Sequence, residues 1–237
     1  MKLFRFLIRY GSGEKRLSKS DIQRTLATGL VKVDGVLEKN GNVEIGKFTS
    51  VSLDGVLLRE HQPVYLMMNK PAGYLSATKD DEHPTVMEFV DGFGELHLAG
   101  RLDRATTGLL LLTNDGDWSR RLTEPKEKVP KVYEVMTADP ISADTAELFQ
   151  QGIYFAYEDK TTSPAELVIL TERSARLTIY EGRYHQVKRM FHAVGNRVVG
   201  LHRVSVGRIV LDENLAVGEC RELCADEVVI SLSLIHI

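Results

Sequence analysis

The sequence is poor in the features that staple or anchor a fold. Its 237 residues include two cysteines, Cys220 and Cys224, and a single tryptophan, Trp118. Two thiols without a second Cys or His pair at ligand spacing make neither a disulfide scaffold nor a zinc site. They read as reduced cysteines of a cytoplasmic protein, with no metal expected. No stretch approaches the roughly 18 apolar residues that span a bilayer, so no membrane partner is expected. Arg5, Arg9, Lys15 and Arg16 interrupt the first apolar residues, which leaves no signal-peptide core. A positive excess is also missing. The formal net charge is −3, which taken alone argues against a nucleic-acid partner. What is present is a globular composition, 43% hydrophobic and 27% charged, long enough for one large domain or two smaller ones.

The distribution of charge argues differently from its sum. Between Arg183 and Arg208 lie Arg183, Lys188, Arg189, Arg197, Arg203 and Arg208, with no Asp or Glu among them. The acids are displaced to the C-terminal stretch (Asp212, Glu213, Glu219, Glu222, Asp226, Glu227) and to the region 139–181. A basic block inside a mildly acidic chain reads as a local anion-binding face, or as a basic surface patch with no ligand.

Residues 1–60 pattern as a small module. Leu3, Phe4, Leu7 and Ile8 recur at helical spacing. Ser18 and Asp21 fit a capping box. Ile22 and Leu26 then share a helix face, and Gly29 is placed to end that helix. Val31-Lys32-Val33 reads as a strand entering the Asp34-Gly35 turn. A linker is expected near Leu58 to Pro63.

The second part, residues 61–230, opens with an apolar strand, Val64 to Met68, and a turn, Asn69-Lys70-Pro71-Ala72-Gly73. Its centre is Leu98 to Trp118. Leu109 to Leu112 is long enough for a buried strand, and Asn114-Asp115-Gly116 is a turn signal. Just ahead lies Gly100-Arg101-Leu102-Asp103-Arg104, one carboxylate between two guanidiniums on a loop. Loops on rigid scaffolds often carry function. Read without further context, Asp103 is better taken as a solvated ion pair, which contributes little. Asp117 to Leu122 is expected as a short helix. Lys131 to Thr137 alternates as a strand with Tyr133 and Val135 on one face, so Tyr133 is a half-buried framework aromatic or a stacking platform. Ser142 to Gln151 is expected as a capped helix and Ala175 to Tyr180 as a strand. Val187, Met190, Phe191 and Val194 form an i, i+3, i+4, i+7 apolar face. That leaves His185, Lys188, Arg189 and His192 toward the other side, read as a wet helix face. Ser231 to Ile237 is apolar and unpatterned and is expected as a tail.

Several of these segments resemble the pseudouridine synthases, in the branch that modifies ribosomal RNA. GRLD followed by TTGLLLLTNDG resembles the catalytic motif of that family, and NKP-x-G the opening of its catalytic domain. HPTV at residues 83–86 and EGRYHQVKRMF at 181–191 resemble the small-subunit type. The segment ending V-x-V-D-G at Gly35 resembles an S4 RNA-binding domain.

The resemblance implies an α+β protein. A small S4-like module would precede a catalytic domain built on a mixed, largely antiparallel sheet. It implies Asp103 as the catalytic residue, Tyr133 as the active-site tyrosine and Lys188 as the basic residue beside Asp103, with Arg189 as the other possible partner. Leu201 would wall the pocket, and Arg101, Arg104, Arg183 and Arg203 would bind phosphates or hold the RNA open. The implied reaction converts a specific uridine of small-subunit ribosomal RNA to pseudouridine without a cofactor. The expected setting is a monomer acting on an assembling particle. The alternatives are a large-subunit RNA target and a non-catalytic assembly factor. A glycosidase would need two carboxylates, and the motif offers one.

Overall fold

The computed structural model describes residues 1–11 and 17–232. The chain divides into two compact units, Met1–Pro63 and Val64–Ile237. Lys15 and Arg16, and residues 233–237 of the expected tail, lie outside the described residues. Among the described residues no helix is long and apolar enough to cross a membrane.

Among its described residues the first unit holds two helices, α1 (Leu3–Tyr10) and α2 (Lys19–Ala27), and four short strands. These are β1 (Val31–Val33), β2 (Val36–Leu37), β3 (Val51–Leu53) and β4 (Val56–Arg59), paired in the order β2-β1-β3-β4. The capping box at Ser18 and Asp21 is formed reciprocally, which satisfies two amide donors that a helix start leaves open. The buried face of α1 is Leu3, Phe6 and Leu7, not the expected Phe4 and Ile8. These residues pack with Ile22, Leu26, Val31, Ile45 and Val51 in the unit's core.

The second unit is built on a nine-stranded sheet. Its elements in chain order are β5 (Tyr65–Lys70), β6 (His97–Leu98), β7 (Thr107–Thr113), α3 (Gly116–Thr123), β8 (Lys131–Thr137), α4 (Thr145–Gln151), a small separate hairpin β9 (Tyr154–Phe155) and β10 (Lys160–Thr161), β11 (Glu166–Thr171), β12 (Ser174–Ile179), α5 (Gln186–Ala193), β13 (Val198–Val206), β14 (Ile209–Val210), β15 (Cys220–Glu222) and α6 (Ala225–Leu232). The main path runs β11-β12-β8-β13-β7-β5-β15, with β14 on β13 and β6 on β7. The β13–β7 pairing is parallel and every other pairing is antiparallel, so the sheet is mixed and largely antiparallel.

Leu109 to Leu112 are completely buried because both faces of β7 are covered. Leu110 and Leu112 join a core that includes Phe149 of α4 and Val187, Met190 and Phe191 of α5. Leu109 and Leu111 join Trp118 and Leu122 of α3 on the opposite face. A strand buried on both sides reads as a continuous apolar run rather than an alternation.

Three boundaries differ from expectation. Strand β5 continues to Lys70, because Asn69 and Lys70 pair with Leu109 and Gly108 on β7. Helix α4 starts at Thr145 rather than Ser142. Ile141 is tied to the Glu172 carbonyl, and Thr145 N bonds the Ser142 carbonyl, so residues 142–144 turn before the helix winds. Ser231, expected in the tail, ends inside α6, where its hydroxyl accepts the Trp118 indole N–H at 2.8 Å.

Gly108 sets the distance between the two parallel strands. It pairs with Arg203 of β13 at φ +97°, and a Cβ there would collide with the Arg203 backbone. A side chain at this position is both strained and overpacked. Gly108→Ala is therefore expected to lower stability by about 2 kcal/mol or more, read as a drop in the urea midpoint with an unchanged m-value. A variant as stable as the parent would show that β7 and β13 have room to part.

Candidate active site

Asp103 sits in the loop between β6 and β7, and one short segment holds that loop. Lys70, at the end of β5, is completely buried. Its Nζ donates to the carbonyls of Pro71 (2.8 Å), Thr106 (3.0 Å) and Arg104 (3.3 Å). Gly73 N donates to the Arg104 carbonyl, and Arg104 Nε donates back to the Gly73 carbonyl. Ser76 Oγ bonds both the amide and the carbonyl of Leu102. Asp103 is thus flanked by two residues whose main chain is pinned, and its own carbonyl accepts from Thr106 N. Burial pushes the Lys70 ammonium down to about 8, opposed by the nearby charge of Asp103.

Two basic groups face the carboxylate, one on each oxygen. Lys188 Nζ lies 3.2 Å from Oδ2, and His185 Nε2 lies 3.4 Å from Oδ1. A lysine cannot present the planar fork of an arginine. Here a second residue takes the other oxygen, so two single contacts do the orienting that one fork would do. His185 was expected on a wet helix face. It precedes α5 as its N-cap, with φ +49°, and that backbone turns its ring toward Asp103. Only its place in EGRYHQVKRMF, at the junction of loop and helix, hinted at this. Arg189, the alternative partner, instead pairs with Glu158 and lies over the Phe155 ring.

Two adjoining cavity lobes share Asp103 and Tyr133. The smaller, about 80 Å³, is walled by Asp103, Tyr133, Ile179, Val187, Lys188 and Leu201. The larger, about 560 Å³, includes Arg101, Arg104, Lys131, Tyr184, His185 and Arg203 in its wall. Tyr133 is 7% exposed and belongs to the core cluster, so it is both framework and cavity wall. Among the described residues lining either lobe, Asp103 is the one acid.

The arginines expected to grip phosphates divide into two groups. Arg101 and Arg104 are exposed at the cavity. Arg183 is already engaged: Nη1 lies 2.8 Å from Glu158 and Nε 3.1 Å from Glu181. Hydrogen bonds from Arg189 and Arg183 hold the Glu158 carboxyl below its usual range. Arg203 is 2% exposed and donates from Nε to the Leu109 carbonyl at 2.8 Å. It lies in the sheet rather than on the surface and reaches the wall of the larger lobe, with Nη2 left without a hydrogen-bond partner. Beside it Lys131, 9% exposed, donates to the Val129 carbonyl. Desolvation, with Arg203 adding repulsion, brings the Lys131 ammonium down to about 8.

Lys131 therefore carries a measurable pH signature. The unfolded chain sheds this proton near 10.5 and the folded protein near 8. Between those values the unfolded state binds more protons, so stability rises with pH. Against Lys131→Met, the parent is expected to gain on the order of 2–3 kcal/mol from pH 7 to pH 10.5. Urea unfolding of both proteins at several pH values checks this. Parallel pH dependences would mean that the folded and unfolded states hold this proton equally.

Comparisons with known proteins identify the family. The sequence profile of the family described as RNA pseudouridylate synthase matches residues 64–193. A protein of Pseudomonas aeruginosa named ribosomal small subunit pseudouridine synthase A is 46% identical over 231 residues, covering 96% of this chain and 99% of the relative. The protein of the same name from Escherichia coli K12 is 46% identical over 215 residues, covering 90% of this chain and 93% of the relative. A crystal structure described as a pseudouridylate synthase superposes with a TM-score of 0.70 at 41% identity, covering 98% of this chain and 99% of that one. With its profile over the core of the second unit and relatives matched along almost their full length, this chain belongs to the RNA pseudouridylate synthase family.

Proposed function

We propose that this protein converts a uridine of small-subunit ribosomal RNA to pseudouridine, with Asp103 as the reacting carboxylate. The observation that carries this reading is the setting of Asp103. It is a lone acid on a pinned loop, with a base on each oxygen, in a cavity walled by Tyr133 and Leu201. The RNA class follows from the names of the Pseudomonas and Escherichia relatives.

The isomerisation breaks the N1–C1′ bond and forms a C5–C1′ bond. N1 gains a proton and C5 loses one, so no electrons are exchanged with a cofactor. Two routes use the same carboxylate. It attacks C1′ as a nucleophile, or it removes the C2′ proton to give a glycal. In both, the detached uracil must turn in place before it rejoins, and the walls of the small lobe limit its escape. The uridine has to leave its stack, which costs a few kcal/mol and least where it is already unpaired. Tyr133 supplies a flat wall for the extruded base and Leu201 an apolar one. Lys188 and His185 orient the carboxylate, and the exposed Arg101 and Arg104 are placed to meet phosphates. A glycosidase reading is disfavoured, because the second carboxylate that it usually needs is missing from the described cavity lining.

The first unit is read as an S4-like RNA-binding module that adds affinity and placement. Among its described residues no candidate catalytic group stands out. A second tethered RNA contact raises effective concentration without new chemistry at the active site.

Two measurements test these assignments. Asp103→Asn keeps the shape of the side chain and removes both nucleophile and base. It is expected to abolish turnover, a loss of 10³-fold or more, while leaving RNA affinity within a few-fold. Pseudouridine mapping of ribosomal RNA from cells with the parent and with the variant reads this directly. Near-normal modification by the variant would remove Asp103 from the mechanism, and a missing large-subunit site would redirect the substrate. Deleting residues 1–63 is expected to raise the Kd for small-subunit RNA at least several-fold, with the rate at saturating RNA largely intact. A folded truncation that binds as tightly as the full chain would strip the first unit of its role.

A further inference from the structure

Beside the carboxylate stands an aromatic surface that the reaction as described does not use. Tyr184 is 75% exposed, although it belongs to the wall of the larger lobe. Its ring is stacked on His185, with centroids 3.9 Å apart and planes 19° from parallel. Adjacent side chains normally diverge. Here His185 has a left-handed backbone, φ +49°, which a non-glycine residue adopts at a cost and which clusters at functional sites. That one conformation lets the imidazole touch Asp103 through Nε2 and lie under the phenol ring. The main chain of Tyr184 is braced as well, since its carbonyl accepts from Arg189 Nη1 at 3.2 Å. A large, braced and exposed aromatic contributes little to folding, because it buries little area. It is suited to receive another flat ring, and RNA-binding proteins stack successive bases on such side chains without reading their sequence.

We propose that Tyr184 is a stacking platform for the nucleobase next to the target uridine, so that the site binds two nucleotides of an unpaired segment. This rests on the reading of Asp103 as the reacting carboxylate. The uracil enters the small lobe against Tyr133, and the flanking base covers the outer face of Tyr184. Exposed Arg101 and Arg104 lie in the wall of the same lobe and are placed to meet the intervening phosphates.

The test uses the full chain and two synthetic oligoribonucleotides spanning the mapped uridine. One has the natural sequence, and the other has abasic residues on both sides of the uridine. With the natural RNA, Tyr184→Ala is expected to raise KM about 10-fold, within the range for loss of one base–aromatic stack. The rate at saturation should stay within about 2-fold, and Tyr184→Phe should restore the parent KM. With the abasic RNA, parent and Tyr184→Ala should have the same KM. An equal penalty on both RNAs would make Tyr184 a framework residue, and no penalty on either would remove it from recognition. Either result overturns the proposal. Binding of the same two RNAs to Asp103→Asn, with and without Tyr184→Ala, separates the inferences. Stacking is read there as affinity, so it stands or falls independently of whether Asp103 performs the chemistry.

Discussion

A buried ammonium holds the loop that carries Asp103. Lys70 reaches from the last residue of β5 to three main-chain carbonyls, two of them on the Asp103 loop. Enclosing a cation is costly unless its donors are satisfied, and here each contact also fixes a segment of chain. The reward is rigidity. The loop cannot shift without exposing an unpaired charge inside the sheet. Gly73 and Ser76 add bonds from the same stretch of chain, so the opening turn of the second unit and the Asp103 loop form one braced piece.

The rest of the site follows from what packs against that piece. β7 descends from the Asp103 loop and is buried on both faces, which locks the loop's far end. The parallel neighbour β13 approaches closely at Gly108 and brings Leu201 to the cavity. β8 lies on the other side of β13 and contributes Tyr133 and Lys131. Helix α5 packs through Val187, Met190 and Phe191 and so delivers Lys188 and His185 to the carboxylate. Four segments distant in sequence therefore converge on one cavity, and His185 and Lys188 supply the two contacts to the carboxylate oxygens.

The electrostatics are arranged with equal economy. Of the basic block at 183–208, Lys188 serves Asp103. Arg183 and Arg189 are neutralised by Glu158, with Glu181 also on Arg183. Arg203 is drawn into the sheet. Arg197 and Arg208 stay exposed, so the block presents fewer free cations to solvent than a count of its arginines suggests. The exposed arginines at the cavity are Arg101 and Arg104, supplied by the Asp103 loop itself.

Much of the architecture is legible in the sequence. The KVYEVMT strand and the amphipathic helix at 186–193 follow from local periodicity, because burial on one face imposes period two on strands and 3.6 on helices, and the buried GLLLL strand follows from its continuous apolar run. Asp103 stands out through its motif. Periodicity does not report what tertiary pairing decides. It places Lys70 in a turn, whereas pairing with Gly108 makes it the buried end of a strand. It places His185 on a wet helix face, whereas one left-handed residue turns that ring onto Asp103. It counts Arg203 and Arg183 among free cations, whereas the parallel β13–β7 pairing buries the first and Glu158, with Glu181, engages the second. A polar side chain's role depends on which distant group completes its hydrogen bonds, and that partner is chosen by the fold.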